Sequence, residues 1–351
     1  MDLTKVIRKN ILALAPYSCA RDEFKGEASV FIDANESPYE NGVNRYPDPL
    51  QHVVKVQLAK LKKVNEDQIF LGNGSDEAID LVYRVFCEPR IDNVVAISPS
   101  YGMYKVCADV NDVVYRYASL TDDFQLDTTA ITSQVDDKTK VIWICSPNNP
   151  SGNAFELYDL EVIVSRYSNL IVVVDEAYID FSDKGTMLSL LDKYDNLIVL
   201  QTFSKAWGQA AIRCGIAFAS PEIIMYFNRV KYPYNINVLT QQAAIRALSQ
   251  SQVHDRHVEE ILSGRGILRI LLGSLPIVEH IYPSDANFLL VRVKLDGMDT
   301  GQSADYVYNY LQNKGIIVRN RTRVHLCQGC LRITIGTPDE NATLYETLKT
   351  L

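Results

Sequence analysis

The chain has 351 residues, 47% of them hydrophobic, with 35 Lys and Arg against 43 Asp and Glu for a formal net charge of −8. That length and apolar content allow a large core, one big domain with a smaller one beside it. The acidic balance argues against a general nucleic-acid or anionic-membrane surface, because both need excess basic charge.

The opening MDLTKVIRKNILALAPYS lacks an apolar segment followed by a small-residue cleavage site, and no later apolar run approaches membrane-spanning length. A cytoplasmic protein is expected. Seven cysteines, scattered and odd in number, fit a reducing compartment better than a secreted disulfide framework. The close pair Cys327 and Cys330 has no second pair and precedes a strand, so neither a zinc site nor a thioredoxin-like pair is expected.

Residues 1–45 mix a short helical pattern with Pro16-Tyr17 and then VFIDANESPY, a strand running into a polar turn, and read as an arm. Arg45–Pro49 is a stiff link, after which Leu50–Lys62 carries helical spacing. In IFLGNGSDEAIDLVYRVF a short strand meets Gly72-Asn73-Gly74, and Ser75-Asp76-Glu77 opens an amphipathic helix. Free first-turn amides, approachable over the glycines, would bind a phosphate; a helix merely capped by Ser75 or Asp76 is the alternative. A dinucleotide fingerprint needs a third glycine and a P-loop a lysine after its last glycine, so neither matches.

NVVAISPSYGMYKVCAD gives a strand, a turn and a helix, with Tyr101 at the strand end either capping the core or stacking on a planar ligand. VIWICSPNNPSG gives a buried strand ending in Asn148–Gly152, where an asparagine can offer a fixed amide or simply turn the chain. LIVVVDEAYIDF carries Asp175 into the end of the sheet, followed by Glu176 and Tyr178. Burial raises a carboxylate's pKa unless a cation or donors hold it, so Asp175 wants a positive partner, functional or structural. In LIVLQTFSKAWGQAAIR the apolar run stops at Thr202-Phe203-Ser204-Lys205. A lysine is rarely placed where a buried strand ends unless its amine has work there; a snorkelling lysine at the sheet edge is the alternative.

Strand–helix alternation over about 68–219 indicates an α/β fold with a mostly parallel, helix-covered sheet, whose ligands gather outside the carboxyl ends of the strands. Every candidate falls at such an end. After Tyr232-Pro233-Tyr234 come long helices, Val238–Leu248 and about Gln252–Gly273. A smaller α+β part follows, with strands near Phe288–Val293, Ile316–Arg319 and Leu331–Gly336 and a last helix from Asp339. The expected division is an arm at 1–45 that partly joins the small domain, a large domain at 46–245 and a small one at 246–351. His254 and His257, beside Asp255 and Glu259, read as a solvated helix face, and no metal site is expected.

SPNNPSG, DEAY and SKAWGQAAIR, in this order, resemble the fold-type-I pyridoxal-phosphate aminotransferases, in particular their class II branch, over essentially the whole chain. The resemblance implies pyridoxal 5′-phosphate as cofactor, Lys205 as its Schiff-base lysine and proton carrier, and Asp175 on the pyridine nitrogen. It implies Asn149 and Tyr178 on the phenolic oxygen and Tyr101 against the ring. Gly74, Ser75, Asp76, Thr202, Ser204 and Arg213 match positions that hold the cofactor phosphate or line its cradle. Ala211-Ile212 before Arg213 depart from the usual glycine and leucine.

APYSCAR, IDANESPY, NRYPD, SPSYGMY and GCLRITIGT are similar, more narrowly, to the histidinol-phosphate aminotransferase family. That implies exchange of L-histidinol phosphate and 2-oxoglutarate for imidazole-acetol phosphate and L-glutamate in histidine biosynthesis. An aromatic aminotransferase or a threonine-phosphate decarboxylase of the same fold is the alternative. By the same resemblance Arg332 and Arg319 hold the substrate's anionic end, a task guanidinium forks can do for phosphate and carboxylate alike. Tyr17 and Asn35 match arm positions near the substrate. Tyr46 matches a tyrosine that reaches the other subunit's cofactor phosphate, which implies a homodimer with shared active sites. Asn320–Gln328 matches no motif, and Arg321 and Arg323 within it read as a solvated loop.

Overall fold

Runs of five to seven residues rich in Val, Ile and Leu, too short for helices and bounded by Gly, Ser and Pro, build the central sheet. The computed structural model describes residues 1–17, 20–24, 26 and 28–351; Ser18 and Cys19 of APYSCAR lie outside them. The strands are β1 (Ile69–Asn73), β2 (Asn93–Ser98), β3 (Val114–Ser119), β4 (Thr139–Cys145), β5 (Ile171–Asp175), β6 (Leu197–Thr202) and β7 (Cys214–Ala219). They lie in the order β1-β7-β6-β5-β4-β2-β3. Only β7 runs against its neighbours, β1 and β6, and every other pairing is parallel.

Alternation along each strand sorts the core into two layers. Ile142, Ile144, Val172, Val174 and Val199 face one side, and Val141, Trp143, Val173, Ile198 and Leu200 the other. Both faces are covered, so the polar residue that ends a strand is the first one able to meet a ligand. The edge strand β3, VYRYAS, was not legible as a strand. Its outer face meets solvent, so it lacks the continuous apolar run of the inner strands.

The second sheet holds β8 (Val278–Ile281), β9 (Phe288–Val293), β10 (Arg319–Asn320) and β11 (Cys330–Thr334), all antiparallel in the order β10-β11-β9-β8. Helices Ser251–Gly273, Thr300–Asn313 and Pro338–Leu348 supply Leu268, Leu272, Val307, Leu311 and Leu344 to the core over it. The strand expected at Ile316–Arg319 begins only at Arg319, with Ile317 largely exposed before it.

Two readings of the arm need correcting. The segment 30–39 forms no strand, because no strand of either sheet pairs with it; Val30, Ile32 and Tyr39 are 71%, 90% and 82% exposed. Leu3, Val6, Ile7 and Ile11 pack on the large sheet's cluster beside Phe86 and Val85, not on the small domain. What orders the later arm is Glu36, whose carboxylate accepts from Arg21 at 2.5 Å, from Arg45 at 3.0 Å and from the Tyr46 amide at 2.6 Å.

At Gly215 the backbone of β7 passes so close to the Gly74–Ser75 junction that an added Cβ would lie 2.0 Å from the Ser75 nitrogen. Neither partner is a movable side chain, so relief must come from the sheet itself. Gly215→Ala is therefore expected to lower stability by about 1–3 kcal/mol, the range for overpacking, read from the urea midpoint at unchanged slope. A midpoint equal to the parent protein's would contradict this close approach.

Candidate functional site

The carboxyl ends of β2, β4, β5 and β6 open with the start of helix Ser75–Phe86 onto one cleft of about 1210 Å³. Asp175, the last residue of β5, lies in register with Cys145 on one side and Leu200 on the other and is only 2% exposed. Its Oδ2 accepts from the Tyr104 hydroxyl at 2.6 Å and its Oδ1 from the Ala177 amide at 3.1 Å. Burial pushes the carboxyl up to about 6, against the pull of those two donors. Asp76 raises it further and Lys205 lowers it. The cation expected beside Asp175 is thus replaced at contact distance by a phenol and an amide, with Lys205 acting only through space.

Tyr104 was missed in the sequence. It lies one turn beyond Tyr101, on helix Met103–Val110, and its ring stacks on Trp143 at 4.8 Å while its hydroxyl reaches Asp175. Only the spacing of three from Tyr101 could have signalled it.

After β6 the chain turns sharply. The Ser204 amide donates to Thr202 Oγ1 at 3.0 Å, and the Gly208 amide to the Lys205 carbonyl at 3.0 Å. This turn aims Lys205 into the cleft, with Nζ 5.5 Å from the Tyr178 ring centre. The amine is exposed to the cleft, yet the walls take enough water away to lower its pKa, helped by Arg332 and opposed by Asp175 and Asp76. Among the described residues no hydrogen bond or ion pair holds it. The snorkelling alternative fails on direction, since this lysine points into the concavity and not out of it.

At one end of the cleft Gly74, with φ +75°, precedes helix Ser75–Phe86 and donates its amide to the Arg213 carbonyl at 2.8 Å. Arg213 is itself left-handed, φ +53°, and its Nη2 stands 3.4 Å from Asp76 Oδ2. Tyr101 donates its hydroxyl to the other Asp76 oxygen at 3.1 Å. Free first-turn amides beside a guanidinium are an anion-binding arrangement. Thr202 and Ser204 line the same cleft.

The two asparagines of SPNNPSG divide the roles left open by the sequence. Asn148 holds the turn, donating to the Pro99 carbonyl at 2.9 Å and to Ser151 Oγ at 2.8 Å. Asn149 faces the cleft, where its Oδ1 accepts from Arg332 Nη1 at 2.5 Å. Tyr178, packed edge-on to Phe288 at 5.2 Å, is kept protonated by burial.

Arg332 and Arg319 line the far end of the cleft, as expected, but so do Arg321 and His325 of the segment read as a solvated loop. His325 Nε2 lies 2.9 Å from Ser119 Oγ, which ties the segment to the end of β3. Arg323 is exposed and lines a separate, smaller cavity. Tyr46, Asn35 and Tyr17 are not brought to the cleft. Tyr46 stacks on Tyr234 at 4.4 Å and lines a shallow pocket with Asn35, while Tyr17 is 71% exposed. His254 is not solvated: its ring stacks on Trp207 at 4.1 Å and sits 3.9 Å from Asp180, because helix Ser251–Gly273 packs against that side of the large domain. Among the described residues no group of three or more His, Cys, Asp or Glu could hold a metal ion.

Comparison with known proteins is consistent along the whole chain. Residues 22–348 match the family of class I and II aminotransferases. The chain is 55% identical to a histidinol-phosphate aminotransferase of Parabacteroides distasonis, covering 100% of this chain and 99% of that protein. It is 54% identical to one of Bacteroides fragilis, covering 99% and 98%. The crystal structure of the histidinol-phosphate aminotransferase from Clostridium acetobutylicum superposes with a TM-score of 0.79, covering 88% of this chain and 90% of that one. Its 23% identity makes that a likeness of fold.

Next to Asp175, Glu176 points to the other layer, accepting from Thr186, Met187 and Gln201 with no cation in contact, and burial pushes it up to about 7. A carboxyl whose folded pKa is raised favours the native state below its unfolded pKa near 4.5, and that contribution disappears as pH climbs to about 7. Stability is expected to fall across this window by on the order of 3 kcal/mol on account of Glu176. Glu176→Gln should flatten the slope, as read by urea unfolding at pH 5, 6, 7 and 8. An unchanged slope in that variant would refute the assignment.

Proposed function

We propose that this chain, which belongs to the class I and II aminotransferase family, transaminates L-histidinol phosphate with 2-oxoglutarate in histidine biosynthesis. It uses pyridoxal 5′-phosphate. The observation that carries the reading is the Lys205 amine, free in the cleft, facing the buried Asp175 carboxyl, with the Gly74–Arg213 anion cradle beside both. Histidinol phosphate is taken from the names of relatives about half identical over their full length, and 2-oxoglutarate from the family resemblance.

The cleft suits this cofactor. A Cβ on Gly74 would lie 2.6 Å from Arg213 Nη2 and close the cradle, so the bare backbone there is what leaves room for a phosphate. When bound, the cofactor supplies an electron sink for the charge that develops at the substrate's Cα. Asp175 offers its carboxylate to the pyridine N–H, and that cation favours the ionised form that burial alone opposes. Tyr104 and the Ala177 amide fix the direction of the carboxylate. Asn149 and Tyr178 bond the phenolic oxygen, and Tyr101 covers the ring. Ser75 and Asp76 would give the free first-turn amides to the phosphate over the bare Gly74, whose own amide is held by the Arg213 carbonyl, with Thr202, Ser204 and Arg213 around it.

Lys205 Nζ would take up the proton from the substrate's Cα and, as the ammonium, hold it for delivery to a second carbon, not back to Cα. Its lowered pKa makes the free amine available nearer neutral pH. Arg332 and Arg319, which line the cleft beside Asn149, hold the anionic end of each substrate in turn.

The same proposal includes a homodimer in which Tyr46 reaches the partner's cofactor phosphate, and the division into an arm at 1–45, a cofactor domain at 46–245 and a small domain at 246–351. Support for the dimer comes from the apolar arm residues left in solvent and from the absence of Tyr46 from its own chain's cleft. A cytoplasmic setting agrees with six described cysteines that are all free thiols, and no helix among the described residues is long and apolar enough to cross a membrane.

Half-reaction spectroscopy tests the substrate assignment. The cofactor-loaded protein is mixed separately with histidinol phosphate, phenylalanine and threonine phosphate, and the absorbance change marking transfer of the amino group is followed. Histidinol phosphate is expected to react with the highest kcat/KM; release of carbon dioxide from threonine phosphate would replace this reading with a decarboxylase. Lys205→Ala is expected to lose about 10²–10⁴-fold or more in turnover, the share typical of a positioned acid–base group. Asp175→Asn should keep the fold and lose most activity, and near-parental turnover in either variant would sink its role. Sedimentation should give twice the chain mass.

A further inference from the structure

β10 pairs antiparallel with β11, placing Arg319 opposite Arg332 and Asn320 opposite Leu331. Arg321 extends this ladder by one step, donating its amide to the Cys330 carbonyl at 2.8 Å. Side chains alternate across a strand, so Arg319 and Arg321 leave the ribbon on one face, the face from which Arg332 also leaves. All three line the same end of the cleft. Like charges directly opposite one another are unfavourable in a ribbon. Among the described residues no carboxylate forms an ion pair with any of them.

The guanidinium of Arg332 is partly engaged by Asn149, whereas Arg321 Nε is buried with no hydrogen-bond partner. Burial, then Arg332 and Arg319, bring the Arg321 guanidinium down to about 10. The segment carrying it is anchored, not loose: the Val324 amide closes a turn on the Arg321 carbonyl at 2.8 Å, and His325 meets Ser119. An anchored, uncompensated cation in a cleft of this kind is stabilised by a multiply charged anion.

We propose that Arg321 is a specificity residue: its guanidinium binds the phosphate monoester of the amino substrate beside Arg332 and Arg319, and distinguishes that substrate from its dicarboxylate counterpart. This rests on the function proposed above. A phosphate monoester near neutral pH carries between one and two negative charges on three terminal oxygens. A carboxylate carries one charge on two oxygens, which two guanidiniums satisfy. The third guanidinium therefore has a partner in one half-reaction only.

The test compares apparent dissociation constants of cofactor-loaded protein for histidinol phosphate and for glutamate, taken from the absorbance change at varied substrate. Arg321→Gln is expected to weaken histidinol phosphate roughly 10- to 100-fold, the effect of one charge-assisted hydrogen bond. Glutamate should weaken less than about threefold, and the maximal rates should stay near parental values. Arg323→Gln, on the other side of the segment, should leave both constants unchanged. Equal weakening of both substrates, or of neither, overturns the proposal.

A second readout needs no turnover: perturbation of the bound cofactor's absorbance by glycerol 3-phosphate and by succinate. Arg321→Gln should weaken the phosphate ester selectively. A parental protein inert to histidinol phosphate would sink the proposed function, while this arm would still decide whether Arg321 recognises phosphate esters. Should Arg321→Gln melt early, Arg321→Lys, which keeps the charge and loses the fork, carries the same comparison with a smaller selective loss.

Discussion

A carboxyl group at the end of a central strand, shut away from water, is the constraint around which the cleft is built. Asp175 can occupy that place only because Tyr104 and the Ala177 amide donate to it, and Tyr104 can do so only because Trp143 and Tyr101 fix its ring. The cost of burial is therefore met by a neutral network, and the carboxyl remains poorly ionised until a cation arrives. Lys205, one strand away, has the opposite condition: an amine pushed toward its neutral form by the same walls and by Arg332. A buried acid that ionises once a cation meets it, and an amine already biased toward its free base, suit the two roles proposed for them.

The sheet holds this pair in place through its least substituted residues. Gly74, Gly215 and Gly72 meet where β1, β7 and the start of helix Ser75–Phe86 converge, and at Gly215 there is no room for a side chain. Reversing β7 against β6 brings Arg213, at the start of that strand, back to the carboxyl end of β6 beside Lys205's turn. An eighth residue after Lys205 in sequence thus becomes the guanidinium at the anion cradle. Packing and chemistry share one junction, and a substitution there would disturb both.

Much of this was legible because inner strands are continuous apolar runs and their last residues stand out by polarity: Asn149, Asp175, Thr202 and Lys205 were all readable on that ground. The helix-covered sheet followed from strand–helix alternation, and the long helices from the spacing of their apolar residues. Four features were not readable, each for a physical reason. β3 carries no unbroken apolar run because one face is wet. The arm reads like a strand, but a strand exists only with a partner, and neither sheet offers one. Tyr104 and Arg321 work through distant contacts, with β5 and with β11, that no local pattern encodes. His254 misled in the other direction, since polar spacing on a helix does not say what the neighbouring domain will place against it.

Net charge was a poor guide to the cleft. The chain carries a formal −8, yet Lys205, Arg213, Arg319, Arg321 and Arg332 all line one cleft. Low-dielectric walls concentrate such a field, so a small cationic group inside an acidic protein attracts anions. The two anion sites stand on different elements, the cradle at the start of helix Ser75–Phe86 and the arginine group on the β10–β11 ribbon. Backbone amides and a single arginine suit a phosphate that stays, while three side-chain forks on a two-stranded ribbon suit anions that must enter and leave.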